Sequence, residues 1–296
     1  MAHLKEVIDR IELIFSTQKI TKAMKMVAAS KLHKTQQLLA PLKEYTLQCS
    51  SLLHATLQKQ EQVGHPLLLP RSNVLKRNLL IVVSSDRGLC GVFNKNVLKS
   101  AQACIESRMQ TGTDAIEILV MGKKAHQFFK KTSFPLIDRY VDLLSAGAWN
   151  TSDALAAYCM EAFQNGYYTG ILLVYTAFIN AVKQEPRVAP FLPFSSHTDT
   201  RSGGALEQSA DWIYEPSHAL FLEQLFPEVL RQQLRMRLVE SSASEHAART
   251  LTMGKASDNA DTLLKELRIS YNRMRQSLIT NSLAEITSGA EALMGT

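Results

Sequence analysis

The sequence predicts an α/β protein in which the first and last segments wind into a long antiparallel coiled coil and the middle folds as a domain with a mainly parallel sheet. Three observations carry this. Apolar residues recur at three- and four-residue steps from Leu4 to about Leu57. Strand-like and helix-like stretches alternate between residues 74 and 206. After Pro227 the chain has no further proline, and its apolar residues keep a spacing near three and a half. The expected boundaries are 1–60 for the N-terminal coiled-coil helix, 74–206 for the central domain and 212–296 for the C-terminal helix.

In the first segment Leu4, Val7/Ile8, Ile11, Ile14/Phe15, Ile20, Ala23/Met24 and Val27 mark one helix. Pro41 falls inside it and removes a backbone donor, so a bent rod is expected. Ile20, Ala23, Met24 and Val27 lie within about 100° on a helical wheel and are expected to face a sister helix. Lys19, Lys22, Lys25, Lys31 and Lys34 spread around the circumference, and no acid occurs from Leu13 to Lys43. A lysine face of this kind is most simply a solvated one.

"EQVGHPLLLPRSN", residues 61–73, concentrates Gly64, Pro66 and Pro70 and reads as a break. The grammar then changes. "NLLIVVSS", "IEILVMG", "LIDRYVD" and "GILLVYTAFIN" read as strands, and "NKNVLKSAQACIESRMQ", "KKAHQFFKK" and "TSDALAAYCMEAFQNG" as the helices between them. This order gives a Rossmann-like domain with helices on the faces of its sheet. "QEPRVAPFLPF" is an edge strand or loop, because its prolines cannot donate to a ladder. "RSGGALEQSADW" is the next loop.

In the last segment Leu263/Leu264, Leu267, Tyr271, Met274 and Leu278 form a heptad seam, which Ile279, Leu283, Ile286, Ala290 and Leu293 resume one position later, as a stutter would. A helix from Glu228 to Ser288 would be on the order of 90 Å long, against roughly 50 Å for a compact globule of this chain length. It must protrude, and its seam needs a partner. The N-terminal helix supplies one.

Composition narrows the function. The net charge is +6 and the pI about 9.1, which suit an anionic partner without choosing among nucleic acid, phospholipid and acidic protein. Cys49, Cys90, Cys104 and Cys159 show neither a CxxC pair nor regular spacing, so a reducing compartment fits and neither zinc nor disulfides are indicated. The eight histidines show no ligand spacing and no metal is expected. No apolar run approaches a membrane span, and the N-terminus lacks a signal-peptide core. "SSDRGLCG" follows a buried strand where phosphates bind in α/β folds, yet it has no GxGxxG and no GxxxxGK[ST]. Cys90 on that turn is a candidate nucleophile with no designated histidine. A basic coiled-coil nucleic-acid-binding protein and a small hydrolase using Cys90 therefore stand as alternatives.

"TQKITKAMKMVAASKL", "SSDRGLCGVFN" and "ASDNADTLLKELRISYNRMRQSLIT" together resemble the gamma subunits of F-type ATP synthases. The resemblance implies a noncatalytic rotor shaft without cofactors. Its terminal helices would turn inside a hexamer of alternating alpha and beta subunits, with catalytic sites on beta, and its central domain would meet the epsilon subunit and the c-subunit ring. It implies partner contacts at Lys19, Lys22, Met24 and Lys25 on the first helix, at Arg87 and Cys90 in the glycine-bearing loop, and at Arg249, Gln276 and Thr280 on the last. Val92, Asn281 and Ser282 depart from the family's usual residues. The expected location is the cytoplasmic face of a bacterial membrane, held peripherally.

Overall fold

A computed structural model describes residues 2–58, 66–68, 77–110, 112, 115–138, 140–141, 148–194, 214–215 and 217–294. The loops expected at 61–73 and 201–212 lie almost wholly outside the described residues. The described chain forms two compact units, residues 1–28 with 250–296, and residues 29–249. Both long helices are therefore shared between units, whereas the expected domains follow the ends of elements.

The larger unit holds the sheet. Its elements are β1 (Arg77–Val83), α2 (Phe93–Gln110), β2 (Ala115–Met121), α3 (Lys123–Phe129), β3 (Leu136–Ile137), α4 (Ala148–Gln164), β4 (Gly170–Phe178) and β5 (Gln184–Leu192). The strand order is β3-β2-β1-β4-β5, with every pairing parallel except β4 with β5. Strand β1 is central because it is apolar on both faces. Leu79, Ile81 and Val83 point into a core with Leu155 and Phe163 of α4, whereas Leu80 and Val82 meet Val97, Ala101 and Ile105 of α2 and Phe129 of α3.

The long helices α1 (Ala2–Gln58) and α5 (His218–Met294) complete this unit. Leu53 of α1 and Phe226, Val229, Leu230, Leu234 and Leu238 of α5 close the first core. Farther along, Leu32, Leu39 and Leu42 pack on Val239, Ala243 and Ala247, and Lys43 pairs with Glu240 at 2.8 Å.

One expectation needs correction. "LIDRYVD" contributes only a two-residue strand, Leu136–Ile137, and Tyr140 already lies in a turn. Of the two readings of "QEPRVAPFLPF", the edge strand holds, over the nine residues Gln184–Leu192. Pro186 stands opposite Thr176 in the ladder, and the Ser244 hydroxyl of α5 donates to the Thr176 carbonyl. Helix α5 begins at His218, inside the expected 212–296, and contains Pro227. Helix α1 likewise runs through Pro41 unbroken.

Candidate partner-contact surfaces

In the two-helix unit the helices run antiparallel. Gln18 donates to the Asp261 carboxylate, and the Lys25 stem lies over Gly254, where an added Cβ would be 3.6 Å from Lys25 Cε. The residue numbers of each pair add to 279, so the register is constant between them. The half-buried side of α1 is Leu4, Val7, Ile11, Ile14, Gln18, Thr21 and Met24, ending at buried Ala28. Facing it, α5 buries Met253, Ser257, Ala260 and Leu264 and half-buries Leu267, Tyr271 and Met274. The α5 series alternates steps of four and three, and the α1 series does so except for two successive threes at Gln18, Thr21 and Met24, as a coiled-coil seam does.

This seam is not the stripe expected on α1. Of Ile20, Ala23, Met24 and Val27 only Met24 turns inward; Ile20 is 60% exposed and Val27 58%. The seam continues instead through Gln18 and Thr21, side chains that hydropathy does not favour. Lys19, Lys22 and Lys25 are exposed beside the outward stripe, and Lys19 Nζ sits 4.3 Å from the Phe15 ring centre. The α1 surface is thus cationic and apolar at once.

The same register brings Ala2, the first residue of α1, opposite Ser277. Beyond it α5 has no partner helix among the described residues, and Leu278, Ile279, Leu283 and Ile286 are all exposed. Gln276, Thr280, Asn281 and Ser282 are exposed on the same length of helix.

The larger unit carries the glycine-bearing loop between β1 and α2. Leu89 and Gly91 both have positive φ, 63° and 59°, so the loop turns twice within three residues. The Asn94 side chain ties it together. Its Oδ1 accepts from the Ser85 N–H at 3.1 Å, and its Nδ2 donates to the Cys90 sulfur at 3.1 Å. The Ser85 hydroxyl donates to the Arg87 carbonyl at 2.7 Å. Asp86 and Ser84 accept the Lys123 and Ala125 N–H groups at the start of α3, serving that helix as caps. Gly122 permits this closeness, because a Cβ there would lie 2.2 Å from the Ser84 carbonyl oxygen.

Cys90 is 2% exposed and packs on Phe93 and Ala248. Its thiol is therefore not a surface contact in this chain, and the neighbours of its sulfur are an amide and a hydroxyl, neither of which can take a proton as an imidazole would. Arg87, Leu89 and Val92 form the outer surface of the loop. Arg249, read from the sequence as a partner contact, is engaged inside the chain. Its guanidinium donates to the carbonyls of Arg87 and Gly88 at 3.2 and 3.3 Å and pairs with Glu245 at 2.7 Å. Only 11% of the side chain is exposed.

This arrangement shifts the surrounding pKa values. Burial, aided by the positive charges of Arg249 and Lys31, lowers His246 to about 4. Burial outweighs the attraction of Arg249 and holds Glu245 above the usual carboxylate range. Glu245, His246, Ser85 and Asn94 were not singled out from the sequence. The Glu245–Arg249 spacing of four was the one legible signal, and by itself it marks any helical ion pair.

Among the described residues no group of histidine, cysteine and carboxylate side chains could hold a metal ion, and no helix is long and apolar enough to cross a membrane. A family model described as "ATP synthase" matches residues 3–293. The chain is 43% identical over 295 residues to the ATP synthase gamma chain of Amoebophilus asiaticus, covering 99% of each. It is 36% identical to that of Chlorobium phaeobacteroides over the whole of both chains. Among solved structures it resembles a chain of the Euglena gracilis mitochondrial ATP synthase OSCP/F1/c-ring assembly, with a TM-score of 0.62, 18% identity and coverage of 99% of this chain and 95% of that one. A chain of the Tetrahymena thermophila central stalk and c-ring gives a TM-score of 0.53 over 80% of this chain and 99% of that one, at 23% identity. With full-length likeness to curated relatives and a family match from end to end, this chain belongs to the ATP synthase gamma chain family.

Proposed function

We infer that the chain is the gamma subunit of an F-type ATP synthase, the central rotor shaft that couples transmembrane ion flow to ATP synthesis or hydrolysis. The observation that carries this reading is the 43% identity to a gamma chain across 99% of both sequences. The exposed apolar end of α5 supports it, since four large apolar side chains on a stretch of helix left uncovered by the described residues call for a surrounding protein. Gamma chains are noncatalytic, and the catalytic sites lie on the beta subunits.

A rotor works by differential contact. Turning inside the alpha/beta hexamer, an asymmetric shaft stabilises a different conformation of each catalytic subunit in turn, which shifts populations without any chemistry of its own. Energy enters as charge crossing the membrane field, about 2.3 kcal/mol per 100 mV for each ion, so several ions are pooled for one ATP.

In this reading the helices within 1–60 and 212–296 are the shaft, and 74–206 is the head that meets the epsilon subunit and the c-ring. Lys19, Lys22, Lys25, Gln276 and Thr280 contact the hexamer directly, with Ile20 and Val27 between the lysines. Arg87 contacts it through the loop, which Arg249 and the buried Cys90 hold in shape. The complex sits at the cytoplasmic face of a bacterial membrane, with gamma held peripherally. The comparisons lend no support to nucleic-acid binding.

The test is reconstitution. The purified chain should lack ATPase activity alone and restore it to alpha and beta subunits. Removing residues 278–294 should impair coupled rotation while leaving the head folded. Full activity of the alpha/beta mixture without this chain would overturn the reading.

A further inference from the structure

We propose that the pocket at the N-terminal edge of the parallel strands binds an organic cation, an ammonium or guanidinium group on an apolar stem. The cavity has a volume of about 290 Å³. It is framed by Arg77 at the start of β1, Glu117 of β2, Tyr158 and Glu161 of α4, and Tyr167 and Tyr168 of the turn before β4. This inference rests on the sheet unit alone and stands apart from the rotor reading.

Three features set the sign of the ligand. Glu117 and Glu161 place two carboxylates against the one guanidinium of Arg77, so the lining is negative. Helix α4 ends here at Gln164 without a basic residue in its last turn; the Gly166 and Tyr167 N–H groups cap the Phe163 and Ala162 carbonyls, so its dipole adds only a small negative contribution. Tyr158, Tyr167 and Tyr168 line the cavity, and the face of a tyrosine ring attracts cations and repels anions. An anion would be opposed by all three.

The pocket is also organised in advance. The Tyr168 hydroxyl donates to Glu117 Oε2 at 2.6 Å, and the Tyr158 oxygen lies 3.4 Å from that of Tyr168. Burial first, and then these hydrogen bonds, push the Tyr168 pKa far up, so the hydroxyl keeps its proton and Glu117 remains an acceptor. The volume lies at the lower end of the range for small-molecule sites, which suits a single basic side chain or a small free cation. Exposed Tyr167 stands at the mouth, where it can close over an apolar stem.

The test titrates the full chain, with ring-labelled tyrosines, against tetramethylammonium chloride and N-methylguanidinium chloride, following ring resonances by NMR. Saturable shifts at millimolar probe, absent with sodium chloride at equal ionic strength, are expected. Glu161→Gln should weaken binding by about tenfold and Tyr167→Ala by about fivefold. Both side chains are exposed, so neither change should disturb folding, and an unchanged thermal melt checks this. No saturation with either probe, or equal affinity in both variants, overturns the proposal. Repeating the titration on the assembled complex separates the sources. Lost probe binding with Tyr167 shielded from iodination assigns the site to a partner's lysine or arginine, and retained binding assigns it to a free cation.

Discussion

The two-helix unit and the sheet unit use apolar residues in opposite ways. In the sheet unit the apolar side chains of β1, β2 and β4 are nearly all buried, and both faces of the sheet are covered. In the two-helix unit only one narrow seam is covered, and Leu13, Ile20, Val27, Ile279, Leu283 and Ile286 stand in the open. Apolar surface that the first unit needs to fold is surface the second unit spares for a partner. Stability and assembly therefore depend on different residues.

Truncation should break the comparison most visibly. Ile118→Ala, in a fully buried position of β2, is expected to cost about 3–4 kcal/mol in urea unfolding. Ile286→Ala should cost less than about 0.5 kcal/mol in the isolated chain, and its effect should appear only in the assembled complex. Equal losses would show that the end of α5 is buried in the free chain.

The Arg249 clamp comes next. Arg249→Met leaves Glu245 poorly exposed and unpaired and releases two loop carbonyls, at an expected cost of about 2 kcal/mol. The loop should also lose protection against hydrogen exchange. Unchanged exchange at residues 86–91 would show that the loop holds its shape without the clamp.

His246 supplies a pH dependence. Its pKa is lowered to about 4 in the folded chain, so between roughly pH 6.5 and 4 the unfolded chain binds more protons and stability falls as the pH falls. Glu245, raised by burial, acts with the opposite sign just above its ordinary value, as its extra stability is lost when the pH rises. Arg249, Lys31 and Asp86 are the other charges bearing on this pair. In urea midpoints measured at pH 7 and pH 5, His246→Gln should flatten the decline, and a slope equal to that of the parent would exclude His246 as its source.

The smallest effect concerns Thr176. Its hydroxyl is buried without a hydrogen-bond partner, so Thr176→Val should raise stability, by up to about 1 kcal/mol. A loss would mean that the hydroxyl has a partner in solution, such as a bound water.

How much could be read beforehand follows the same division. Strands β1, β2 and β4 were legible because a strand buried on both faces is an unbroken apolar run. β3 was overread, since "LIDRYVD" has strand-like residues but only two of them pair. β5 stayed open between edge strand and loop, because Pro186 and Pro190 remove donors and only an edge position tolerates that loss. On α1 the periodicity gave the helix but not its orientation. An apolar stripe meant for a sister helix and one meant for a separate subunit look alike in sequence, and the real seam passes through Gln18 and Thr21. The loop clamp was hidden for another reason. Arg249 and Glu245 meet residues 86–88 only after about 160 residues of intervening chain have folded, a distance that local pattern does not cross.

The prolines of β5 bear on life before assembly. A newly made chain carries greasy helical flanks that await other subunits, and an open sheet border would likewise invite copies to zip together. With Pro186 and Pro190 that border offers too few donors for a foreign strand to latch on. The free polypeptide can thus wait in reserve without polymerising along its sheet.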